Sequence, residues 1–358
     1  TGRERTELAV ETLSRHWPKA LEMLADLLQN PTFPEGELAR LRNERVTSLR
    51  RIKDDPTALA GWVTPALLYG KESAYGHPTT CTEKALEALT RDDLAGHFQG
   101  GYGPESATLI VVGDVSMEEV VKLTEEHLGS WKPQGPRSET LEEATNGSGP
   151  AATTLYLMDK PGAAQSVIRF GHTGVPRRHP DYPALVLLNH LFGGQFTARL
   201  NLNLRQDKGY SYGYRSWIEW HKKSSAIMVG GSVQTAVTAP AVAETLQEFE
   251  EITTCRPVQE DEFRAAKAAL LRGYPSTFET PWQILNHMGP IVQFRLPHEY
   301  LATYPANIDG VTLADVRRVA GERLNRDRLT VLIVGDRTAV ESALRDLGME
   351  LVILNGHT

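Results

Sequence analysis

Two residues that lie close together in the chain, Arg205 and Tyr212, have side chains that can stabilise negative charge on a peptide. They belong to the stretch from Leu191 to Tyr214, in which Gly209 is expected to end a helix before a strand begins. Arg205 falls in the last turn of that helix, and Tyr212 falls two residues into the strand. A guanidinium and a phenol at one helix-to-strand corner can hold a peptide carbonyl or a developing oxyanion.

The same pair also has a purely structural interpretation. An arginine in the last turn of a helix complements the helix dipole. Strict alternation predicts that Tyr210, Tyr212 and Tyr214 share one face of the strand, which is typical of a half-buried strand. Spacing alone leaves both interpretations open.

A pair of glycines, Gly193 and Gly194, is expected to break the helix that precedes this stretch. Glycine at such a position can serve as a helix C-cap. It can equally allow the backbone of a bound peptide to come close, because it has no side chain. Both interpretations stay open, and the second makes the pair a candidate substrate-binding site.

The composition describes a globular protein and excludes several partners. The chain has 358 residues, 41% of them apolar and 23% charged, with a net charge of -7. That length favours two domains. Without a block of lysine and arginine, neither nucleic acid nor an anionic membrane is an expected partner, and no apolar run is long enough to cross a bilayer. Cys81 and Cys255 are isolated, which excludes a disulfide framework and a CxxC metal site.

A repeated unit organises the chain. The segment Val311–Val316 matches Leu89–Leu94, and the strand-like segment Leu329–Arg337 matches the one that begins at Ala107. The spacing within the two copies is equal, which indicates a duplication. We therefore predict a first domain at residues 1–132, a linker rich in Pro, Gly, Ser and Glu at 133–151, and a second domain at 152–358.

The two copies differ in what precedes their matching strands. In the second copy, the segment from Thr153 to Ser224 comes before the predicted strand Ser225–Val233. The corresponding strand of the first copy, Thr6–Ser14, stands at the start of the given sequence. From this arithmetic we expect that roughly seventy residues of the first domain are absent, so that this domain is incomplete at its N-terminus.

Several motifs in one order resemble the insulinase or pitrilysin-type zinc peptidases, the inverzincins, in their short bacterial form built from paired subunits. In the first domain they are LADLLQNPTFPEGEL, DDP, YGHP, TEKALEALTRDDL and VGDV; in the second they are LLNHLFGGQFTARLNLNLRQDKGYSYGY and a repeated VGD. The resemblance implies an α+β fold with two homologous metallohydrolase-like domains. Each would be a mixed sheet with helices on one face, and the two would face each other as a clamshell.

Members of that family that bind zinc carry an inverted H-x-x-E-H helix and a third ligand, a glutamate, on a later long helix. No H-x-x-E-H occurs in this sequence, and by resemblance the third-ligand position is Ser48. Leu41 occupies the position of a supporting glutamate, and Glu44 is the nearest acid. Since neither a neutral hydroxyl nor leucine replaces a carboxylate, we predict no metal site and no cofactor in this chain. Zinc is expected in a partner subunit.

The resemblance assigns Arg205 and Tyr212 to substrate binding and transition-state stabilisation in trans. It implies a non-catalytic, substrate-binding subunit of a heterodimeric zinc metalloendopeptidase that degrades peptides in an enclosed chamber. Such a chain would be inactive alone and active with a homologous zinc-binding partner. The alternatives are a structural scaffold subunit derived from the peptidase family and a stand-alone peptide-binding protein. Export is common among bacterial relatives, which favours the periplasm over the cytoplasm.

Overall fold

The structure is a computed structural model that describes residues 1–133 and 150–354. Almost all of the predicted linker at 133–151 lies outside these residues. The helices are α1 (Trp17–Gln29), α2 (Glu35–Asp54), α3 (Pro56–Tyr69), α4 (Glu83–Ala88), α5 (Arg91–Gly101), α6 (Met117–Leu128), α7 (Tyr182–Asn189), α8 (Arg199–Asn201), α9 (Thr238–Glu251), α10 (Glu260–Gly273), α11 (Pro281–Phe294), α12 (Tyr300–Asp309), α13 (Leu313–Arg323) and α14 (Arg337–Arg345). Two π-helical segments follow α7 and α8, at His190–Gly194 and Leu202–Asp207. The strands are β1 (Thr154–Asp159), β2 (Gln165–Gly174), β3 (Ser211–Trp220), β4 (Ser225–Gln234), β5 (Thr330–Gly335) and β6 (Glu350–Leu354).

The described residues form two compact units. The helical unit comprises Thr1–Arg50, residues 79–133 and Ser276–Pro297. The sheet unit comprises Arg51–Pro78, residues 150–275 and residues 298–354. These bounds do not coincide with the duplicated segments, because α3 belongs to the sheet unit and α11 belongs to the helical unit.

Several helix ends follow local sequence signals. Helix α2 ends at Asp54, directly before the Asp55-Pro56 pair, because a proline disfavours helical backbone at the residue that precedes it. Helix α5 begins with a capping box, in which the Thr90 side chain accepts from the Asp93 backbone and the Asp93 side chain accepts from the Thr90 backbone. Thr312 and Asp315 repeat this box at the start of α13, in the sheet unit. The structure thus reproduces one duplicated feature in both copies.

Two predicted strands of the first copy are absent. The segments Thr6–Ser14 and Ala107–Val112 contain no β-structure, and the described part of the helical unit holds no strand at all. Leu8, Val10 and Leu109 are consequently exposed. Apolar alternation identifies a segment able to lie on a sheet, but a strand also needs a neighbour for its backbone hydrogen bonds. Neither segment has such a neighbour within residues 1–133 and 150–354.

The sheet unit contains one mixed sheet of six strands in the order β3-β4-β2-β5-β1-β6. Strands β3, β4, β2 and β5 are joined by antiparallel pairs, whereas β1 pairs in parallel with both β5 and β6. The segment Ala107–Val112 forms no strand, but its duplicate in the second copy is strand β5, and all six residues of β5 are buried. Strand β3 forms one edge of the sheet, so its outer backbone groups have no ladder partner in the sheet.

Residues of β5 alternate between two apolar layers. Val331 and Ile333 face the main core, which includes Phe170, Phe192 and Phe249, while Leu332 and Val334 face the opposite side. The rings of Phe192 and Phe249 meet edge to face, with centroids 5.1 Å apart. Complete burial of each such ring contributes about 1.5–3 kcal/mol. This core fixes the side of the sheet on which α7, α9, α10 and α13 lie.

The second side of the sheet is partly covered by α3, which packs against β2 and β5 through Ala60 and Val63. Asp55 caps this helix by accepting from the backbone of Thr57 and Ala58. The prediction of an α+β fold built on a mixed sheet with helices is therefore confirmed. The expectation of helices on a single face needs one correction, since α3 is apolar on its sheet-facing side and lies on the other face. No helix within the described ranges is long and apolar enough to cross a membrane.

Candidate functional site

The corner that carries Arg205 is formed by α8, its π-helical continuation and the start of β3. The helical segment is closed by two backbone bonds, from Lys208 to the carbonyl of Asn203 at 3.0 Å and from Tyr210 to the carbonyl of Leu204 at 2.8 Å. Between them Gly209 has a positive φ of 65°, the left-handed conformation that favours glycine after a helix. The predicted helix-to-strand corner at Gly209 is confirmed. Its π-helical geometry was not predicted, because apolar periodicity carries no signal for it.

Arg205 presents its guanidinium at this corner, stacked on one aromatic ring. Its central carbon lies 4.2 Å from the ring centroid of Phe196, a residue that is itself 63% exposed. Across residues 1–133 and 150–354, the Arg205 side chain makes no hydrogen bond and no ion pair. Stacking on an aromatic ring restrains the guanidinium while it leaves the N–H groups available as donors.

Tyr212 is the most exposed large side chain of the corner, at 92% of its full exposure. Its position results from a β-bulge: Ser211 pairs with Val233 and Tyr214 pairs with Gly231, so three steps on β3 match two on β4. A bulge turns the residues on its two sides in different directions. Tyr212 therefore faces solvent, and no hydrogen bond of its hydroxyl is found among the described residues.

The prediction that three alternating tyrosines share one face is wrong. Tyr214 is completely buried, and its hydroxyl accepts a hydrogen bond from Thr245 at 3.0 Å. Burial raises the pKa of Tyr214, which keeps it a neutral core residue. Tyr210 is partly buried against the same core. Only Tyr212 is free to contact a ligand, because the bulge interrupts the alternation.

Two side chains satisfy the backbone groups that the bulge removes from the ladder. The Asn201 carbonyl oxygen accepts from the Tyr214 backbone N–H at 3.2 Å, while the Asn201 amide donates to the Phe196 carbonyl at 2.7 Å. The Ser211 hydroxyl accepts from the Gly213 N–H at 3.1 Å and donates to the Ser232 carbonyl at 2.8 Å. Asn201 thus connects the bulge that exposes Tyr212 with the loop that supports Arg205.

Sequence reasoning missed Asn201 and Ser211. Their signal was present but weak, since asparagine and serine are the side chains that commonly hydrogen-bond nearby backbone. This signal does not predict the roles of Asn201 and Ser211, because those roles depend on the bulge. The bulge depends on the register between β3 and β4, which the local sequence does not specify.

Charged contacts attach the same helical segment to α9 and α10. Arg199 forms an ion pair with Glu262 of α10, and Lys208 pairs with Glu244 of α9 at 2.7 Å. Between them the Asn203 amide donates to the buried Glu248 carboxylate at 2.9 Å. These contacts line a cavity of about 590 Å³ between the helical segment and the two helices. They fix the segment against α9 and α10, and so support the side of the helix that bears Arg205.

The glycine pair lies in the first π-helical segment, His190–Gly194. A Cβ on Gly193 would lie 2.3 Å from the backbone nitrogen of Ser216 and 2.9 Å from Leu200. At Gly194 it would lie 2.9 Å from the carbonyl oxygen of Asn189. Gly193 is therefore required for close packing of the helix end against β3. Contact of either glycine with substrate stays a prediction.

The residues at the family's third-ligand position do not fit a zinc ion. Ser48 and Leu41 are exposed on α2, and neither supplies a carboxylate. The nearest acid, Glu44, is engaged by Arg40 at 2.6 Å, and Arg40 also pairs with Glu37 at 2.8 Å. Among the residues that the structure describes, no group of three or more His, Cys, Asp or Glu side chains could hold a metal ion.

Comparison with known proteins identifies the family. The family described as Peptidase M16 inactive domain matches residues 88–270. An uncharacterized zinc protease of Bacillus subtilis, YmxG, is 27% identical over 248 residues, which are 69% of this chain and 58% of that protein. An uncharacterized zinc protease of Mycobacterium leprae, ML0855, is 25% identical over 352 residues, which are 97% of this chain and 77% of that protein. The chain thus spans little more than half the length of the Bacillus relative.

Among solved structures, a crystal structure of a peptidase M16 inactive domain from Pseudomonas fluorescens has a TM-score of 0.79 with 23% sequence identity, and the match covers 88% of this chain and 74% of that one. The likeness shows a shared fold. The predicted resemblance to zinc peptidases is confirmed, and the chain belongs to the Peptidase M16 inactive domain family.

Proposed function

We propose that this chain is the non-catalytic, substrate-binding subunit of a heterodimeric zinc endopeptidase. One observation carries the proposal: Arg205 and Tyr212 present polar groups that no described residue uses, at one structured corner. Arg and Tyr side chains normally stabilise a fold by hydrogen-bonding to other residues. Donor groups that form no such bond therefore contribute little to the stability of this corner. They suit a ligand that arrives from outside.

The chemistry of the pair suits a peptide bond under attack. The Arg205 guanidinium can donate two parallel hydrogen bonds, and the Tyr212 hydroxyl can donate one. Both would bind the carbonyl oxygen or neighbouring carbonyls of an extended peptide, and both bonds would strengthen as negative charge develops on the oxygen. The partner would contribute the zinc ion and the general base, because α2 of this chain has no suitable ligands.

The experiment uses an unstructured peptide such as an insulin chain as substrate. Metal content and peptidase activity are measured for this chain alone, for a homologue that carries H-x-x-E-H, and for the mixture. We expect activity only in the mixture. In the mixture, Arg205→Ala or Tyr212→Phe should lower kcat/KM by about 10²–10³-fold, the range for loss of one oxyanion donor.

Matched controls separate chemistry from folding. Arg264→Ala removes an exposed arginine of α10 in the same unit, and Tyr210→Phe removes a hydroxyl next to the corner; both should leave kcat/KM within about twofold. Zinc and activity in this chain alone would contradict the proposal. An inactive mixture with an intact complex would favour the scaffold alternative, in which Arg205 and Tyr212 have no catalytic use.

A further inference from the structure

Two arginines flank a glycine on the side of the sheet opposite the main core. In the strand register, Arg169 of β2 and Arg215 of β3 both pair with Gly230 of β4. Directly paired residues of antiparallel strands point to the same face, so the two side chains leave the sheet on one side. Their neighbours Ile168 and Tyr214 are buried in the main core, which places the arginines on the other face. The two Cα atoms are roughly 10 Å apart, twice the strand spacing.

The position of Arg169 is restrained by its surroundings. Its guanidinium carbon lies 5.0 Å from the ring centroid of Trp217, which stands two residues after Arg215 on β3. A Cβ on Gly230 would lie 3.2 Å from the Nη1 atom of Arg169 and 2.1 Å from the carbonyl oxygen of Ile168. The guanidinium therefore lies close over a strand position that only glycine can occupy, and Arg169 is half-buried there.

Neither of these two cations has a directly bonded counter-ion among the described residues. In the part of the chain that the structure describes, neither guanidinium makes a hydrogen bond or an ion pair. The closest acidic side chain on the strand, Glu219, instead accepts from the Trp217 indole at 3.1 Å. Desolvation lowers the pKa of Arg169, against the opposing effects of Tyr214 and Glu219. A half-buried charge without a hydrogen-bonding or ion-pairing partner is destabilising, which is a reason to expect an anionic ligand.

We propose that Arg169 and Arg215 form a binding site for a carboxylate of a bound peptide, either its C-terminus or an acidic side chain. The inference rests on the proposed function, because it takes the ligand to be a peptide. Guanidinium groups match carboxylates with paired hydrogen bonds, and both arginines pair with the same residue, Gly230, over which Arg169 lies. Arg215 follows Tyr212 by three residues, roughly 10 Å along an extended strand, so a short extended peptide reaches both residues.

The test measures binding to this chain alone and needs neither zinc nor proteolysis. Fluorescence anisotropy follows a labelled unstructured decapeptide with one internal glutamate, as the free acid, as the C-terminal amide, and with Glu replaced by Gln. We expect either amidation or the Gln replacement to weaken binding about tenfold or more, and this distinguishes the two carboxylate sources. In Arg215→Gln that preference should disappear, while Arg178→Gln, an exposed arginine elsewhere in the unit, should retain it.

Arg169→Gln serves as a second variant, with its fold checked by thermal unfolding. A second probe, N-acetylalanine against N-acetylalaninamide in ligand-observed NMR, tests the site without a peptide-binding groove. Peptide binding that is indifferent to all carboxylates would overturn the site and leave the proposed function standing. Absence of peptide binding, with N-acetylalanine still bound in an Arg215-dependent way, would support the site and remove the proposed function. If neither probe binds, both proposals fail.

Discussion

Tyr212 and Tyr214 are two residues apart on β3 but face opposite environments, one 92% exposed and the other completely buried. Strict alternation would give them the same environment. The difference is produced by one extra residue between the pairs Ser211 with Val233 and Tyr214 with Gly231. The exposure of Tyr212 is therefore a property of the bulge, and whatever stabilises the bulge also controls the candidate site.

The first prediction concerns Asn201, which accepts from the Tyr214 N–H and donates to the Phe196 carbonyl. Asn201→Ala leaves a buried N–H without a partner, which costs about 1–3 kcal/mol of unfolding free energy. Urea unfolding measures this cost, and hydrogen exchange should show faster exchange at the Tyr214 amide. Gln206→Ala, an exposed change in the adjoining π-helical segment, is the control. Unchanged amide exchange in Asn201→Ala would show that the bulge does not depend on this side chain.

The second prediction is that alanine destabilises the protein at Gly193 but not at Gly213. Gly193→Ala places a Cβ 2.3 Å from the Ser216 nitrogen, so the helix end and β3 must move apart, at a cost of about 1–3 kcal/mol or more. At Gly213 an added Cβ meets nothing within 4 Å, and its φ is not in the left-handed region. Gly213→Ala should therefore change stability by less than about 0.5 kcal/mol. Equal unfolding midpoints for the two variants would contradict the close packing at Gly193.

Local signals in the sequence predicted much of the fold. The capping boxes at Thr90 and Thr312 and the helix stop before Pro56 each depend on residues at most three positions apart, so the adjoining sequence carries their signal. The corner at Gly209 is of the same kind. Each is determined by backbone conformations that a few neighbouring residues select.

The failures all involve partners distant in sequence. The segment Ala107–Val112 has the composition of a strand but pairs with no strand among the described residues, whereas its duplicate β5 lies between β1 and β2. The bulge requires β4, about twenty residues away in the chain, and the side chain of Asn201. The packing of α3 on β2 joins segments about a hundred residues apart. The apolar periodicity of a segment shows which of its faces is buried, but it does not identify the element that packs against that face.

A third prediction tests how Arg205 is supported. Phe196 is largely exposed, so Phe196→Ala should change the free energy of unfolding by less than about 1 kcal/mol. The variant removes the ring that restrains the guanidinium, worth about 0.5–1 kcal/mol at an exposed site. If the proposed zinc-bearing partner is supplied, kcat/KM should fall about two- to fivefold, and Phe196→Tyr should restore it. A variant with wild-type kinetics would show that the stacking has no role in catalysis.

The last prediction concerns acid stability and Asp181, a carboxylate at the start of α7 that is only 8% exposed. Arg318 donates to it at 2.7 Å and Arg323 at 3.2 Å, both from α13. The hydrogen bond from Arg318 is the largest effect on Asp181 and lowers its pKa. Burial opposes it, but with the further hydrogen bond from Arg323 the pKa of Asp181 stays below its ordinary value. A carboxyl whose pKa is lower in the folded state stabilises the fold above its unfolded pKa of about 3.9. That stabilisation is lost as the pH falls from about 4 through the folded value.

Asp181→Asn should therefore destabilise the protein at pH 7 by about 1.5–3 kcal/mol, the range for hydrogen bonds to a charged group. The difference from the wild type should shrink steadily below about pH 4, because the wild-type carboxyl is then protonated. Urea unfolding at several pH values measures both effects. Asp346→Asn, an exposed aspartate after α14, should show neither. A difference between Asp181→Asn and the wild type that is independent of pH would mean that the variant acts through packing and not through the charge.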